Sequence, residues 1–284
     1  MDQTLNIARL IDTDRYPIDR PDRPTFANLL ARVQADLDAD GCAVLNGFIR
    51  SEALQDFLAE ADHVAPAAHR SFNRTNVYFS KDDPSLPETH PARQFFDRSN
   101  AFVPADNFGP NSPLRRIYEN QPFRDFVQMA LREKQFFPYA DPLADVIINV
   151  VEEGGGFPWH FDTNNYTVTL ALQNGEAGGA FRYAPWIRTA DDENFGAVSA
   201  VLDERSDRVK TLHLEPGDLQ IFKGRYALHR VDPVQGERKR YVGIFSFVEE
   251  PGMVASPERC KQLYGRVLPV HYERAGQRAD ALMD

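Results

Sequence analysis

Cysteine is scarce. Cys42 and Cys260 are the only two in 284 residues, too few for a disulfide framework. No apolar run approaches the roughly 18 residues of a membrane-spanning helix. The charged stretch MDQTLNIARLIDTDRYPIDRPDRP at the start lacks the apolar core of a secretory leader. These absences point to the cytoplasm and to no membrane partner. Positive charge is also in deficit: a net charge of -10 repels phosphate backbones, so nucleic acid is not an expected partner. The one dense basic run, GERKRY at 236–241, reads at Arg238 and Lys239 as a solvated hairpin turn. Neither a CxxC pair nor an HExxH motif occurs, which leaves a closed structural zinc site without ligands. There is no internal repeat and no low-complexity tract.

What is present is enough chain for a full core, read as one domain: a helical and loop region over 1–135, a strand-rich core over 144–250 and an extension over 251–284. TFANLLARVQADLDADG places Phe26, Leu29, Leu30, Val33 and Leu37 on one side and stops at Gly41, which predicts an amphipathic helix. The strand CAVLNGF follows. The helix SEALQDFLAEADHV is then predicted with Ser51 as N-cap and Leu54, Phe57 and Leu58 as its buried stripe. Residues 65–113 are polar and show no period, which reads as a functional or disordered loop; the aromatics Phe72, Tyr78, Phe95, Phe96 and Phe102 argue for order. A helix starts at Ser112 with Pro113 in its first turn and is broken at Gln121-Pro122.

From Ala144 the texture changes to short strands between turn signals: ADVIINVV, YTVTLALQ, GAFRYAP, VKTLHL, DLQIF, ALHRV and RYVGIFSF. A helical insertion between the third and fourth strands is expected at TADDENFGAVSAVLDE, and a short C-terminal helix at SPERCKQLYGRV. Strands this close together pair antiparallel, because parallel strands need longer crossovers. The expected fold is mainly β with α: a double-stranded β-helix, the cupin-like jelly roll, with supporting N-terminal helices.

The chemistry sits in GGGFPWHFDTNNYTVTLALQ. His160 and Asp162 are two apart, and on a strand they would share a face and could grip one metal ion. One such pair proves little in a chain with seven histidines. His229, in GDLQIFKGRYALHRV, supplies a third ligand; two imidazoles and one carboxylate make the facial triad of non-haem Fe(II) oxygenases, which leaves coordination positions open. Eleven residues later Arg240 heads the strand RYVGIFSF, where a buried arginine needs an anionic partner.

This H-x-D, distal His and following Arg resemble the Fe(II)- and 2-oxoglutarate-dependent oxygenases over Ala144 to Phe247. The segments WHFDTNNYTVTLALQ, GGAFRYAPWIR, PGDLQIFKGRYALHRVDPV and SPLRRIYENQPFRDFV are similar to the branch that hydroxylates or halogenates small free amino acids. The resemblance implies that His160, Asp162 and His229 hold Fe(II), that Arg240 pairs with the distal carboxylate of 2-oxoglutarate, and that O2 is consumed. It also implies hydroxylation, because halogenases of this kind carry Gly or Ala where Asp162 stands. The family's Arg-x-Ser pattern is met only in part, since Val242 follows Arg240 at that spacing; Asn149, Thr167, Thr169 and Ser246 are alternative second contacts for the cosubstrate.

For the substrate, Arg182 between Ala180 and Ala184 is expected to face a barrel mouth and to meet a carboxylate, or else to form a structural ion pair. Arg74, Asn76 and Tyr78 are candidates for a lid, with solvated loop positions as the alternative. Trp159 is a candidate pocket wall, although packing is the commoner fate of such an aromatic. His213 is read as a strand residue and His63, His69, His90 and His271 as solvated. Asp218 follows the turn Pro216-Gly217, which accounts for it. Desaturation or ring closure by the same cofactor chemistry, a small-anion binding jelly roll without catalysis, and hydrolysis by a catalytic zinc are the competing readings. Substrate identity and oligomeric state are not legible.

Overall fold

The structure is a computed structural model and describes residues 7–274. Helix α1 (Pro24–Asp40) buries Phe26, Leu29, Val33 and Leu37 and ends at Gly41, whose φ of 62° is the left-handed conformation that glycine adopts freely. Helix α2 (Leu54–Val64) departs from expectation at its start. Ser51 lies in a turn, Ala53 occupies the cap position without a side-chain bond, and the buried stripe is Phe57, Ala61 and Val64. Helices α3 (Pro113–Tyr118) and α4 (Gln121–Leu131) are separate, because Asn120 caps the second through the amide of Phe123 as Ser112 caps the first through that of Arg115. Later helices are α5 (Phe195–Leu202), α6 (Pro257–Tyr264) and α7 (Pro269–Arg274). Among the described residues no helix is long and apolar enough to cross a membrane.

The first strands are β1 (Cys42–Leu45), β2 (His69–Thr75), β3 (Phe96–Val103), β4 (Phe137–Pro138), β5 (Val146–Val151), β6 (Phe157–His160) and β7 (Thr167–Gln173). They continue with β8 (Ala177–Gly178), β9 (Phe181–Ala184), β10 (Lys210–Leu212), β11 (Leu219–Phe222), β12 (Leu228–Val231), β13 (Val234–Gln235), β14 (Arg240–Phe245) and β15 (Phe247–Val248). A seven-stranded sheet runs β1-β11-β7-β14-β5-β3-β2 and a four-stranded sheet β10-β9-β12-β6, all antiparallel. Two sheets of this kind with helices stacked outside form the double-stranded β-helix.

The polar segment at 65–113 contributes β2 and β3, a hairpin that extends the large sheet at its edge. Its apolar period is weak because β2 is the outermost strand and leaves Phe72 three-quarters exposed. RYVGIFSF is not one strand: it breaks at Ser246, and β15 turns away to pair with β4. His213 lies just past β10 and is exposed.

Strand alternation gives the large sheet two different faces. One carries Ile148, Val150, Val168, Leu170, Leu219, Ile221 and Phe245 into the main core beneath Phe57, Phe123 and Phe126 of the helices. Each such side chain contributes about 1.5–3 kcal/mol when fully buried. The other face presents Asn149, Thr169, Gln220 and Arg240 to the space between the sheets.

Candidate metal centre

His229 on β12 stands directly opposite His160 on β6, and the two rings are 4.1 Å apart between centroids. Asp162 is not on the strand: β6 ends at His160, and the backbone amide of Asp162 donates to Gly224 O at 3.1 Å across the turn between β11 and β12. That bond, rather than strand alternation, delivers the carboxylate. Its Oδ1 lies 3.4 Å from His229 Nε2 and 3.7 Å from His160 Nε2, while Oδ2 accepts from Thr167 Oγ1 at 2.7 Å. One carboxylate oxygen is thus tied down and the other faces the histidines.

Both imidazoles are oriented by main-chain carbonyls. His160 Nδ1 is 2.8 Å from Pro158 O and His229 Nδ1 is 2.9 Å from Ala227 O. A carbonyl can only accept, so each Nδ1 carries a proton, which leaves each Nε2 as the nitrogen available to a metal. Burial first, and then His229, hold His160 well below the ordinary imidazole value, which keeps it neutral. Burial alone would raise the Asp162 carboxyl, but the pull of His229, with His160 and Thr167 adding to it, holds it below the usual carboxylate range. Two imidazoles and one ionised carboxylate within 4.8 Å of one another are a donor set that fits divalent iron.

The triad faces a chamber of about 220 Å³ between the sheets. Arg240 reaches it from the head of β14, and burial lowers its guanidinium to about 10, still cationic at neutral pH. Asn149, Thr167, Thr169 and Ser246 also line it. The Asn149 amide donates to Ala101 O at 3.2 Å and Thr169 Oγ1 to Gln220 Oε1 at 3.0 Å.

The three expected substrate contacts lie elsewhere. Arg74 is exposed on β2, 3.4 Å from Asp97. Arg182 occupies the wrong phase of β9, where Phe181 faces the chamber; on β6 the pairing with β12 shifts register between Phe157 and His160, both of which line the chamber while Trp159 does not. Trp159 packs instead in a second core cluster with Ala184 and Leu228, beneath the Arg230 guanidinium. Asn76 and Tyr78 are fully buried, but their loop does reach the site. Asn76 Oδ1 accepts from the amides of Tyr78 and Ser80, and its amide donates to Ala92 O, which bends 76–80 so that Phe79 projects into the chamber at a φ of 59°.

Sequence reasoning missed Arg98 and Arg259. Arg98, on β3, is 97% buried and stacks on Phe79 and Phe157; Arg259, on α6, also lies over the Phe79 ring, 5.1 Å from its centroid. Both line the chamber. Burial, with Arg259 close by, disfavours the charged form of Arg98, and Asp162 offsets this only in part. Their signal was hidden: Arg98 sits in the segment without a period, and Arg259 in a helix whose polar face looks solvated.

His271 was expected in solvent and is instead fully buried. Its Nε2 is 3.1 Å from Asp141 Oδ1 and its Nδ1 accepts from Leu268 N. Asp141 also accepts from the amides of Leu143 and Ala255. With these partners the cluster is a clasp for the C-terminal segment that carries Arg259.

The chain matches the family described as Halogenase D over residues 26–257. Among solved structures, the non-haem α-ketoglutarate-dependent epimerase SnoN from nogalamycin biosynthesis is similar with a TM-score of 0.54 at 14% identity, covering 78% of this chain and 82% of that one. AviO1 from Streptomyces viridochromogenes Tue57 gives 0.53 at 15% identity over 78% and 95%. The carbocyclase SnoK from the nogalamycin system gives 0.52 at 12% identity over 76% and 83%. At these identities the likeness is one of fold. No curated relative matches the sequence.

Proposed function

Because the chain belongs to the Halogenase D family, within the Fe(II)/2-oxoglutarate oxygenases, we propose that it acts as a single oxygenase domain hydroxylating a C–H bond of a small carboxylate-bearing molecule, with free amino acids the first class to test. The observation that carries this reading is the convergence of His160 Nε2, Asp162 Oδ1 and His229 Nε2 beside Arg240 in one chamber. Iron with 2-oxoglutarate supplies oxidative decarboxylation to succinate and CO2, one atom of O2 entering succinate and the other the product hydroxyl.

The protein's own part is positioning and shielding. His160, Asp162 and His229 hold the metal, and Arg240 meets the distal carboxylate of 2-oxoglutarate. Asp162 occupies a position that a halide would need, which supports hydroxylation over halogenation. Arg98 and Arg259, which line the chamber, replace Arg74 and Arg182 as the groups suited to a substrate carboxylate, since a guanidinium meets a carboxylate in a bidentate fork. Phe79, Phe157, Phe181 and Phe222 supply apolar walls that keep water from the reacting carbon.

The test is a screen of small carboxylates, free amino acids included, for substrate-stimulated succinate, with the mass of each product measured. A product heavier by one oxygen is expected. A product lighter by two hydrogens, with succinate formed, would replace hydroxylation by desaturation or ring closure.

A further inference from the structure

Gly224 has no role in the chemistry described above except through its carbonyl, and its backbone does not require glycine. Its φ lies outside the left-handed region in which nine other glycines of the described chain sit. An alanine there is compatible with the turn. What an alanine would meet is Asp162: an added Cβ would lie 1.9 Å from Oδ2, 2.6 Å from Cγ and 3.0 Å from the Asp162 Cβ. Contacts that short cannot be absorbed by a few tenths of an ångström. The carboxylate is also not free to slide, because Thr167 Oγ1 holds the same Oδ2 at 2.7 Å and the Asp162 amide is bonded to Gly224 O itself. The remaining way out is rotation of the carboxylate, which takes Oδ1 away from His229 Nε2 and His160 Nε2.

We propose that Gly224 is a positioning residue for the metal ligand Asp162: its missing side chain is the space the carboxylate occupies, so a carboxylate at 162 and a glycine at 224 are a coupled pair. The inference rests on the assignment of Asp162 as a ligand and goes beyond it, because it makes a residue of the distal histidine's turn a condition for the three-ligand site. The turn is well braced for this task. Arg225, fully buried, donates to Thr163 O at 3.2 Å, and the buried Arg188 donates through Nε to Arg225 O at 2.7 Å, so both sides of the Asp162–Gly224 contact are fixed.

The experiment is titration with Co(II) alone, and thermal unfolding, of the wild type, Gly224→Ala, Asp162→Ala and the double variant. Residues that orient a metal ligand change metal affinity by about 10–100-fold when altered. Gly224→Ala is expected to weaken Co(II) binding at least tenfold in the wild type and less than twofold once Asp162 is alanine, where nothing remains to collide with. A smaller loss in the wild type, or one that persists in the Asp162→Ala background, overturns the proposal. Should Gly224→Ala fail to fold, the double variant must fold; failure of both assigns glycine to the turn and overturns it equally. If Asp162→Ala binds Co(II) as the wild type does, the ligand assignment fails by itself. The coupling is then read from unfolding temperatures, which Gly224→Ala must lower in the wild type but not in the Asp162→Ala protein.

Discussion

Asp162 has one oxygen held by Thr167 and one turned to two imidazoles whose own protons are committed to main-chain carbonyls. Exchanging Asp162 for glycine is therefore expected to suppress hydroxylation, measured as product per succinate formed; undiminished hydroxylation would refute its role as a ligand. The protonation states also fix a direction for pH. His160 is held below its ordinary value of 6.5, so as pH falls the unfolded chain takes up the proton before the folded one does. Stability in the metal-free protein should be fully present above about 6.5 and decline below it, down to the folded-state value. Asp162, also lowered, adds loss in the same direction in more acid solution. Chemical denaturation across pH 4–8 measures this, and stability that rises on acidification through 6 would contradict it. At this scale the sequence disclosed residue types and spacing but not phase. Period-two alternation tells that Phe181 and Arg182 face opposite ways without telling which faces inward, and Arg182 was placed on the wrong side for that reason.

Between elements, the loops around the triad are held by buried polar groups rather than by apolar packing alone. The loop at 76–80 depends on Asn76, which has no exposure and bonds four residues' worth of chain into a tight bend. Asn76→Ala should cost about 1–3 kcal/mol, read from denaturant unfolding, and should raise the substrate KM through a loosened Phe79 while leaving metal affinity unchanged. Arg188, with a fully buried side chain, pairs with Glu193 at 2.9 Å and stacks on Phe161 at 3.8 Å. Removing one partner of a buried pair costs about 3–5 kcal/mol, so Glu193→Ala is expected to be among the more destabilising single changes near the site; a loss under 1 kcal/mol would show that the pair is not holding the loop. The strands from β5 onward were legible because each is short, apolar and bounded by turn residues. The hairpin of β2 and β3 was not, since an edge strand such as HRSFNRT has no buried stripe to reveal it. Arg98 was lost with that hairpin.

For the molecule as a whole, the two sheets divide the labour. The seven-stranded sheet turns its apolar face to the helices and its polar face to the chamber, while the four-stranded sheet brings in both histidines. That division explains why the fold, and the set His160, Asp162 and His229 that the structure brings together, could be read from sequence while the rest of the chamber lining could not. Those three residues lie on strands or beside them at characteristic spacings, whereas Phe79, Arg98 and Arg259 are gathered from a loop, an edge hairpin and a C-terminal helix by tertiary packing. The clasp of Asp141 with His271 keeps the last of these in place. The central claim is that His160, Asp162 and His229 hold iron with 2-oxoglutarate bound beside Arg240. Anaerobic addition of Fe(II) and 2-oxoglutarate, followed by visible absorption, tests it most directly. The wild type should develop the weak charge-transfer band of the chelate and His160→Ala should not. The absence of any band in the wild type, or an equal band in both proteins, would contradict the assignment.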